Sequence, residues 1–214
     1  MKRISLLAGL ALGSVVLGGF IARAQPDRQV SDEFRQQFIK NFKRIGLNTT
    51  VGDAVFLRVL VASARCTRGI EVGSATGFGA INMGLSFERN GGHLFTLDID
   101  PKMIQTTRDN VAKMGLAKTV TAIEGDALKT LAELQGEFDF VFIDALKPDY
   151  LKYLKTIEPK LKQGAVVVAD NVIKSEKQMK DFLEYVQTSP DYDTVTIRAS
   201  MDKNDGMTIS YKLR

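Results

Sequence analysis

Residues 69–79 read Gly-Ile-Glu-Val-Gly-Ser-Ala-Thr-Gly-Phe-Gly, and their pattern is the strongest indication of the fold. Residues 69–72 form a short run typical of a buried strand, and the helical pattern of residues 78–89 follows the glycines. Glycine lets the backbone approach a ligand closely, and a helix N-terminus favours anionic groups. The stretch therefore predicts a strand, a ligand-binding turn and a helix, with a glycine-rich loop that merely turns as the alternative.

The spacing of these glycines also resembles the turn of short-chain dehydrogenases, whose catalytic base belongs to a Tyr-x-x-x-Lys pair. The chain contains no such pair, so that class of enzyme lacks its base here. Glu71 separates the interpretations further, because an acid near the end of a buried strand is costly unless it is paired. A carboxylate at this position could accept hydrogen bonds from the ammonium group of a ligand.

After this stretch, further β-like runs alternate along the chain with amphipathic helical patterns. The runs are 93–99, 119–123, 138–143 and 165–169, and the helical patterns are 102–114, 128–134, 150–161 and 176–186. This alternation predicts an α/β fold with a Rossmann-like, doubly wound and mostly parallel sheet. Two last runs, 194–199 and 207–213, are separated by a turn-rich segment too short for a helical crossover, so we expect the last strand to be antiparallel.

Two helical patterns precede the first strand. Residues 31–46 place four apolar side chains at helical spacing, with Ser31 as a candidate N-cap: Phe34, Phe38, Phe42 and Ile45. A second helix is predicted over residues 50–65. The predicted organisation is a leader over 1–24, an N-terminal helical extension over 25–48 and a single domain over 49–214.

Acidic residues follow the predicted strands at the edge where open α/β sheets bind ligands. Asp98 lies about 20 residues beyond the glycine turn, where an acid can bind both hydroxyls of a ribose. Asp100 is better suited to cap the helix that Pro101 begins. After the third strand, Asp126 could lie beside an adenine amino group or could equally be an N-cap.

Oxygen-bearing side chains follow the fourth and fifth strands: Asp144 after the fourth, and Asp170 with Asn171 after the fifth. Such a set without histidine or cysteine suits a hard cation, most naturally Mg²⁺, with water and substrate as further ligands. A lone aspartate at a strand end is often only a helix cap. Two adjacent strands that end in this way, with Lys147 three residues after the first acid, favour a divalent-metal site.

From about residue 49 to its end, the chain resembles the metal-dependent class I S-adenosylmethionine O-methyltransferases, which include catechol and caffeoyl-CoA O-methyltransferases. Five motifs, specific only together, carry the resemblance: Glu71-Val-Gly-Ser-Ala-Thr-Gly77, Asp98-Ile-Asp-Pro, Gly125-Asp-Ala, Phe142-Ile-Asp144-Ala-Leu-Lys147 and Val168-Ala-Asp170-Asn171. The resemblance implies methyl transfer from S-adenosylmethionine to a small catechol-like or phenolic substrate, with Mg²⁺ or another divalent cation. The short segment after Asn171 makes a CoA thioester a poorer fit.

The resemblance also implies a role for individual residues. The implied cofactor-binding residues are Val51, Glu71, Gly73, Gly77, Gly79, Asp98, Asp126, Ala127 and Asp144. Asp144, Asp170 and Asn171 would ligate the metal, and Lys147 would be the general base. Asp202 is matched to a family acid that contacts the substrate hydroxyl, and a homodimer through the N-terminal helices is a further expectation.

Residues 1–24 have the layout of a secretory signal peptide. Lys2 and Arg3 precede an uncharged stretch, 4–22, and Ala22-Arg23-Ala24 offers a small-x-small site for cleavage after Ala24. The stretch is also close to the roughly 20 residues that span a bilayer, so an uncleaved membrane anchor is the alternative. We expect an exported protein, periplasmic or secreted, or one that contacts a membrane through this segment.

The chain carries a net charge of +4, from 29 Lys and Arg against 25 Asp and Glu. Lys2, Arg3 and Arg23 supply three of the excess charges, so the rest of the chain is close to neutral. A nucleic-acid partner is not expected, because binding phosphates needs a basic face or stripe and no dense Lys and Arg run follows the leader. A single cysteine and a single histidine exclude an intramolecular disulfide and a cysteine-rich zinc site.

The leading prediction is therefore an O-methyltransferase. The alternative from a different class is a non-catalytic protein that binds S-adenosylmethionine or acts as a membrane-tethered interaction partner. The joint presence of Asp144, Lys147, Asp170 and Asn171 argues against that alternative, because binding the cofactor alone does not need this set.

Overall fold

The computed structural model describes residues 30–214, and a seven-stranded sheet forms the centre of this part. The strands are β1 (Arg68–Val72), β2 (His93–Asp98), β3 (Val120–Glu124), β4 (Phe138–Ile143), β5 (Leu161–Asp170), β6 (Tyr192–Ile197) and β7 (Met207–Lys212). Their order is β3-β2-β1-β4-β5-β7-β6, with β1 to β5 parallel and β7 antiparallel to both of its neighbours. The predicted fold class and the antiparallel last strand are confirmed.

Seven α-helices connect and flank the strands of the described part. They are α1 (Asp32–Lys40), α2 (Val51–Ser63), α3 (Phe78–Arg89), α4 (Pro101–Lys113), α5 (Ala127–Glu133), α6 (Tyr150–Ile157) and α7 (Lys180–Thr188). Within residues 30–214, no helix is long and apolar enough to cross a membrane. The predicted signal peptide or anchor over 1–24 lies outside the described residues.

A hydrophobic core lies on each face of the sheet, because alternate strand residues point to opposite faces. In β4, Val141 and Ile143 belong to the core that α5, α6 and α7 cover, whereas Phe140 and Phe142 belong to the core under α2, α3 and α4. The sheet is therefore covered by helices on both sides. Its open edge at the carboxyl ends of the parallel strands is where a ligand can enter.

Two predicted helices are shorter than the sequence pattern suggests. The prediction of a helix over 31–46 is wrong beyond Lys40, although Ser31 does accept the capping hydrogen bond from the Phe34 N–H (3.2 Å). Past the helix, the ring of Phe42 packs 5.0 Å from the ring of Phe78, so tertiary packing outweighs helical spacing. Helix α6 ends at Ile157 rather than at residue 161, because Pro159 follows and cannot donate a backbone hydrogen bond.

The same kind of difference occurs before α7 and in β5. The pattern over 176–186 predicts one helix, but the segment Glu176–Gln178 is a 3₁₀ turn and α7 begins at Lys180. Strand β5 begins at Leu161, four residues before its predicted start, because Gln163 and Gly164 interrupt the apolar run without ending the strand. None of these shifts moves a strand end at the edge that carries the site.

The turns after β1 and β4 lie side by side, because Val72 pairs with Ile143 at the ends of these parallel strands. Gly73 follows with φ +98°, and a Cβ on this residue would lie 2.1 Å from the backbone oxygen of Asp144. Only glycine fits this position without moving the backbone, since the conformation and the close approach both exclude a side chain. The glycine turn thereby brings the end of β4 next to the end of β1.

Candidate active site

A cavity of about 860 Å³ opens at the carboxyl ends of strands β1 to β5. Eight of the predicted site residues line it: Gly73, Asp98, Asp126, Ala127, Asp144, Lys147, Asp170 and Asn171. Four do not belong to its lining: Val51, Glu71, Gly77 and Gly79. The volume is within the range of small-molecule sites. One cavity thus contains both the strand-end acids of β2 and β3 and those of β4 and β5.

Asp98 holds the glycine turn in place as well as lining the cavity. One oxygen of its carboxylate accepts a hydrogen bond from the Ala75 N–H (2.9 Å), and the other accepts one from the Asp100 N–H (3.0 Å). Ala75 itself has φ +44°, a conformation rare for a residue with a side chain. Each carboxylate oxygen has a second lone pair, so Asp98 retains capacity to accept from ligand hydroxyls.

Glu71 lies behind the turn, fully buried, and accepts a hydrogen bond from the Thr96 hydroxyl. Burial raises the pKa of Glu71 to about 8, against the opposing effect of that hydrogen bond. Gly79 leaves the room for this carboxyl, because a Cβ there would lie 2.3 Å from Glu71 Oε1. A cationic ligand group would favour the ionised form of Glu71, so this buried acid suits an ammonium partner.

The remaining predicted cofactor residues have clear local roles. Asp126 caps α5 by accepting a hydrogen bond from the Leu128 N–H (2.9 Å) and also lines the cavity, so its two predicted roles are compatible. Gly77 is the residue before α3, with φ +86°. Val51 is the first residue of α2 and is half-exposed, and its neighbour Thr50 is the one that lines the cavity.

Lys147 links the ends of β4 and β5. Its ammonium group donates to Asp144 Oδ1 (2.9 Å) and to the Tyr150 hydroxyl oxygen (2.7 Å). The Tyr150 hydroxyl in turn donates to the backbone oxygen of Asp170 (3.1 Å). Burial, followed by the charges of Asp144 and Asp170, raises the pKa of Tyr150 well above its ordinary value, so this phenol stays neutral. The lysine is therefore held by one charged and one neutral partner.

Asp170 is buried and pairs with a lysine from a distant loop. The ammonium group of Lys203 lies 2.7 Å from both oxygens of Asp170 and 2.8 Å from Asp53 Oδ2. Burial and then the charge of Asp144 raise the pKa of Asp170 to about 6, although Lys203 opposes this shift. Burial alone would lower the pKa of Lys203, but the two acids raise it, so the lysine remains charged.

Lys203 and Asp53 are site residues that the sequence patterns do not predict. They are far apart in the chain, and no local spacing relates either of them to Asp170. Asp202, the neighbour that was matched to a substrate-contacting acid, is exposed and does not line the cavity, whereas Lys203 does. The predicted residue, Asp202, is thus the neighbour of Lys203, whose side chain does reach the site. Tyr150 was missed as well, although its position three residues after Lys147 was a usable signal.

The predicted metal ligands offer two acids and one amide. Among residues 30–214, no group of three or more His, Cys, Asp or Glu side chains is arranged to hold a metal ion. The charge of Asp144 contributes to the raised pKa of Asp170, which is the direction expected from repulsion between two nearby carboxylates. A divalent cation shared by them would relieve this repulsion, and Asn171 adds an oxygen of the type that Mg²⁺ accepts. The residues therefore fit a divalent cation.

A doubly wound sheet in the order β3-β2-β1-β4-β5-β7-β6, with an antiparallel β7 and with strand-end acids around one cavity, has the class I methyltransferase fold. Residues 22–196 match the model of the O-methyltransferase family. The chain therefore belongs to the O-methyltransferase family, which confirms the resemblance drawn from its motifs.

Curated relatives and a solved structure agree with this family. The chain is 33% identical over 130 residues to the catechol O-methyltransferase of Niastella koreensis, a match that covers 59% of this chain and 58% of that protein. It is 36% identical over 120 residues to the catechol O-methyltransferase of Mycobacterium tuberculosis, covering 56% and 54% of the two chains. The matched regions thus span a little over half the length of these relatives.

The O-methyltransferase TomG of Streptomyces achromogenes, solved in complex with SAM (S-adenosylmethionine), superposes with a TM-score of 0.75 at 23% identity. The superposition covers 87% of this chain and 92% of that one. At this identity the likeness shows that the two proteins share their fold.

Proposed function

We propose that the protein is an S-adenosylmethionine-dependent and divalent-metal-dependent O-methyltransferase that acts on a small catechol-like diol. The observation that supports this most is that one cavity is lined both by Asp98 beside the glycine turn and by Asp144, Lys147, Asp170 and Asn171. A methyl donor and an acceptor held in one cavity react as if in a unimolecular step. Family membership and the catechol O-methyltransferases among its relatives support the substrate class.

On the donor side, S-adenosylmethionine would bind at the glycine turn. Gly73 and Ala75 line the cavity, and Asp98 would accept from the ribose hydroxyls. Asp126 and Ala127 would lie at the adenine, and Glu71 would compensate the ammonium group of the methionine part. The complex of TomG with SAM supports the same assignment of the donor.

On the acceptor side, Asp144, Asp170 and Asn171 would hold the divalent cation. When bound, such a cation lowers the pKa of a hydroxyl that it contacts, as it does for water. The two acids and the amide would then orient a substrate with adjacent hydroxyls toward the glycine turn. Leu146, 62% exposed and part of the cavity lining, supplies apolar surface for an aromatic ring on this side.

Lys147 would act as the general base. Bound S-adenosylmethionine would supply the methyl group and would be left as the thioether, which keeps the electron pair of the broken S–C bond. The hydroxyl oxygen of the substrate would accept the methyl group, and the Lys147 amine would accept the hydroxyl proton. A base needs a free lone pair, and in the present contacts the ammonium group donates to Asp144 and Tyr150. The proposal therefore requires that Lys147 lose a proton before the transfer, with Tyr150 keeping the nitrogen in place.

The test is transfer of label from S-adenosylmethionine to a panel of catechols by the purified protein, with Mg²⁺ or with EDTA. We expect transfer that EDTA abolishes, and a fall in turnover of about 100-fold or more for Lys147→Met, the size of effect typical of a lost general base. Binding of S-adenosylmethionine by this variant, measured by calorimetry, should change little. Lys113→Met, an exposed lysine at the end of α4, is the matched control.

Each part of the proposal has its own contradicting result. Unchanged turnover in Lys147→Met would remove this lysine from the mechanism. Transfer that survives EDTA would contradict the metal dependence. Binding of S-adenosylmethionine without transfer to any diol would instead favour the non-catalytic alternative.

A further inference from the structure

Lys203 forms the most buried ion-pair network of the cavity. Its ammonium group contacts three carboxylate oxygens, two from Asp170 at 2.7 Å and one from Asp53 at 2.8 Å. The side chains of Asp170 and Asp53 are only 2% and 1% exposed, and that of Lys203 is 15% exposed. A lysine buried between two acids is a compensating charge, because either acid would be costly to bury alone.

The loop that carries Lys203 is fixed on both sides. The Asp205 carboxylate accepts hydrogen bonds from the N–H groups of Ile173 and Lys174 (both 3.0 Å), which ties the loop to the segment after Asn171. On the other side, Gly52 allows close contact with the loop, because a Cβ there would lie 2.9 Å from the Cα of Ser200. The position of Lys203 is therefore built into the fold.

Asp53 is held independently of the lysine. Its carboxylate accepts a hydrogen bond from the Thr50 hydroxyl (2.7 Å), and its N–H donates to the same hydroxyl oxygen (3.2 Å) at the start of α2. It is not one of the acids proposed to bind the cation. Asp53 thus offers Lys203 a second carboxylate on the side away from Asp170.

We infer that Lys203 is a built-in counter-cation that occupies the Asp170 carboxylate until a divalent cation takes it, and that Asp53 retains the lysine after the exchange. The inference rests on the proposed function, because it concerns a proposed metal ligand. Two cations on one carboxylate repel each other, so the ammonium group of Lys203 must move away from Asp170 for the divalent cation to bind fully. The flexible four-carbon stem of lysine allows this small displacement.

Two consequences follow for the metal-free and metal-bound protein. Without a divalent cation, Lys203 prevents Asp170 from being buried as an unpaired charge, so the cavity forms without metal. With the cation, part of the binding free energy is spent on displacing the lysine, which lowers the metal affinity of the protein. Asp53 reduces this loss, because the displaced lysine keeps one of its two acids.

The experiment is titration of the full protein with Mn²⁺, followed by electron paramagnetic resonance of the free ion and repeated with competing Mg²⁺. We expect Lys203→Met to bind Mn²⁺ about tenfold more tightly than the unmodified protein, a factor in the range of one charge-assisted hydrogen bond. Asp53→Asn should bind Mn²⁺ more weakly, by a few-fold, because the displaced lysine loses its second partner. Lys113→Met should bind it unchanged.

The double variant that combines Lys203→Met with Asp53→Asn distinguishes an exchange of cations on Asp170 from a long-range electrostatic effect of the two charges. If Asp53 acts only through the lysine, Asp53→Asn should have no effect in the Lys203→Met background. If the two residues act only by their charges at a distance, their effects should add. Thermal unfolding of each variant checks the fold, and Lys203→Gln, which keeps a donor for both acids, replaces Lys203→Met if that variant does not fold.

Equal Mn²⁺ affinity in the Lys203 variants and the unmodified protein would overturn the inference, as would additive effects in the double variant. Binding of Mn²⁺ only after Lys203 is replaced would support the inference and contradict metal dependence in the natural protein. No binding by any variant would overturn the inference, and label transfer by the same samples would show separately whether the methyltransferase proposal stands.

Discussion

The cavity has two regions that hold their acids in different ways. In the glycine-turn region, residues 73–77 with Asp98, the carboxylate accepts from backbone N–H groups of Ala75 and Asp100. In the acid–lysine region, Asp144 and Asp170 with Lys147 and Lys203, each carboxylate pairs with a lysine. One region is fixed by the main chain, and the other is fixed by long side chains.

This difference indicates how each region responds to a ligand. Backbone donors in a strand-turn-helix unit cannot leave without unfolding the unit, so the glycine-turn region is preorganised. A lysine side chain can change partners at modest cost, because four single bonds connect its ammonium group to the backbone. We expect substitutions in the first region to affect folding and ligand affinity, and those in the second to affect ion binding and turnover.

Gly73→Ala should be the most disruptive substitution, because it breaks the contact between the two regions. Its Cβ would meet the Asp144 backbone oxygen at 2.1 Å, and φ is +98°, so we expect a loss of about 3 kcal/mol or more in the free energy of unfolding. Gly91→Ala is the matched control, with φ +69° but no atom within 4 Å of its Cβ. It should cost only about 1 kcal/mol, at the lower end of the cost of a left-handed conformation for a residue with a side chain, and equal losses in urea unfolding would contradict the role of the contact.

A second prediction concerns the buried acid behind the glycine turn. The pKa of Glu71 is raised to about 8 in the folded protein, above its ordinary value, so the folded state binds more protons than the unfolded state between these values. The free energy of unfolding should therefore fall as pH rises from about 5 to about 8, by at most about 1.4 kcal/mol per pH unit from this group. Glu71→Gln removes this contribution.

The measurement is urea unfolding of the protein without S-adenosylmethionine across this pH range. The slope of stability against pH should be less negative in Glu71→Gln than in the unmodified protein. Glu184→Gln, which replaces an exposed acid of α7, should keep the original slope. Parallel curves for Glu71→Gln and the unmodified protein would show that Glu71 ionises normally.

Tyr150→Phe in the acid–lysine region should have a milder consequence than either of these substitutions. Lys147 would lose the neutral acceptor at 2.7 Å, so we expect kcat to fall about tenfold, the equivalent of one hydrogen bond, with little change in the KM for S-adenosylmethionine. Tyr192→Phe removes a buried hydroxyl bonded to Glu158 outside the cavity and should leave kcat unchanged.

Much of the fold could be predicted because it depends on local patterns. The alternation of apolar runs and helical patterns predicted the mostly parallel sheet and its antiparallel last strand. The helix predicted over 31–46 was too long, because contact between Phe42 and Phe78 is a tertiary interaction that periodicity does not contain. The strand-end position of Asp98, Asp144 and Asp170 followed from the same patterns, since parallel strands end at one edge.

The alternation of strands and helices, the glycine turn and the acids that follow each strand can be predicted from local sequence, because they depend on neighbours within a few residues. The contacts that those acids make depend on tertiary packing. Lys203 and Asp53 are 150 residues apart in the chain and meet because the loop before β7 packs against the start of α2. A buried acid binds whichever cation the fold brings within reach, and that partner follows from packing rather than from local spacing.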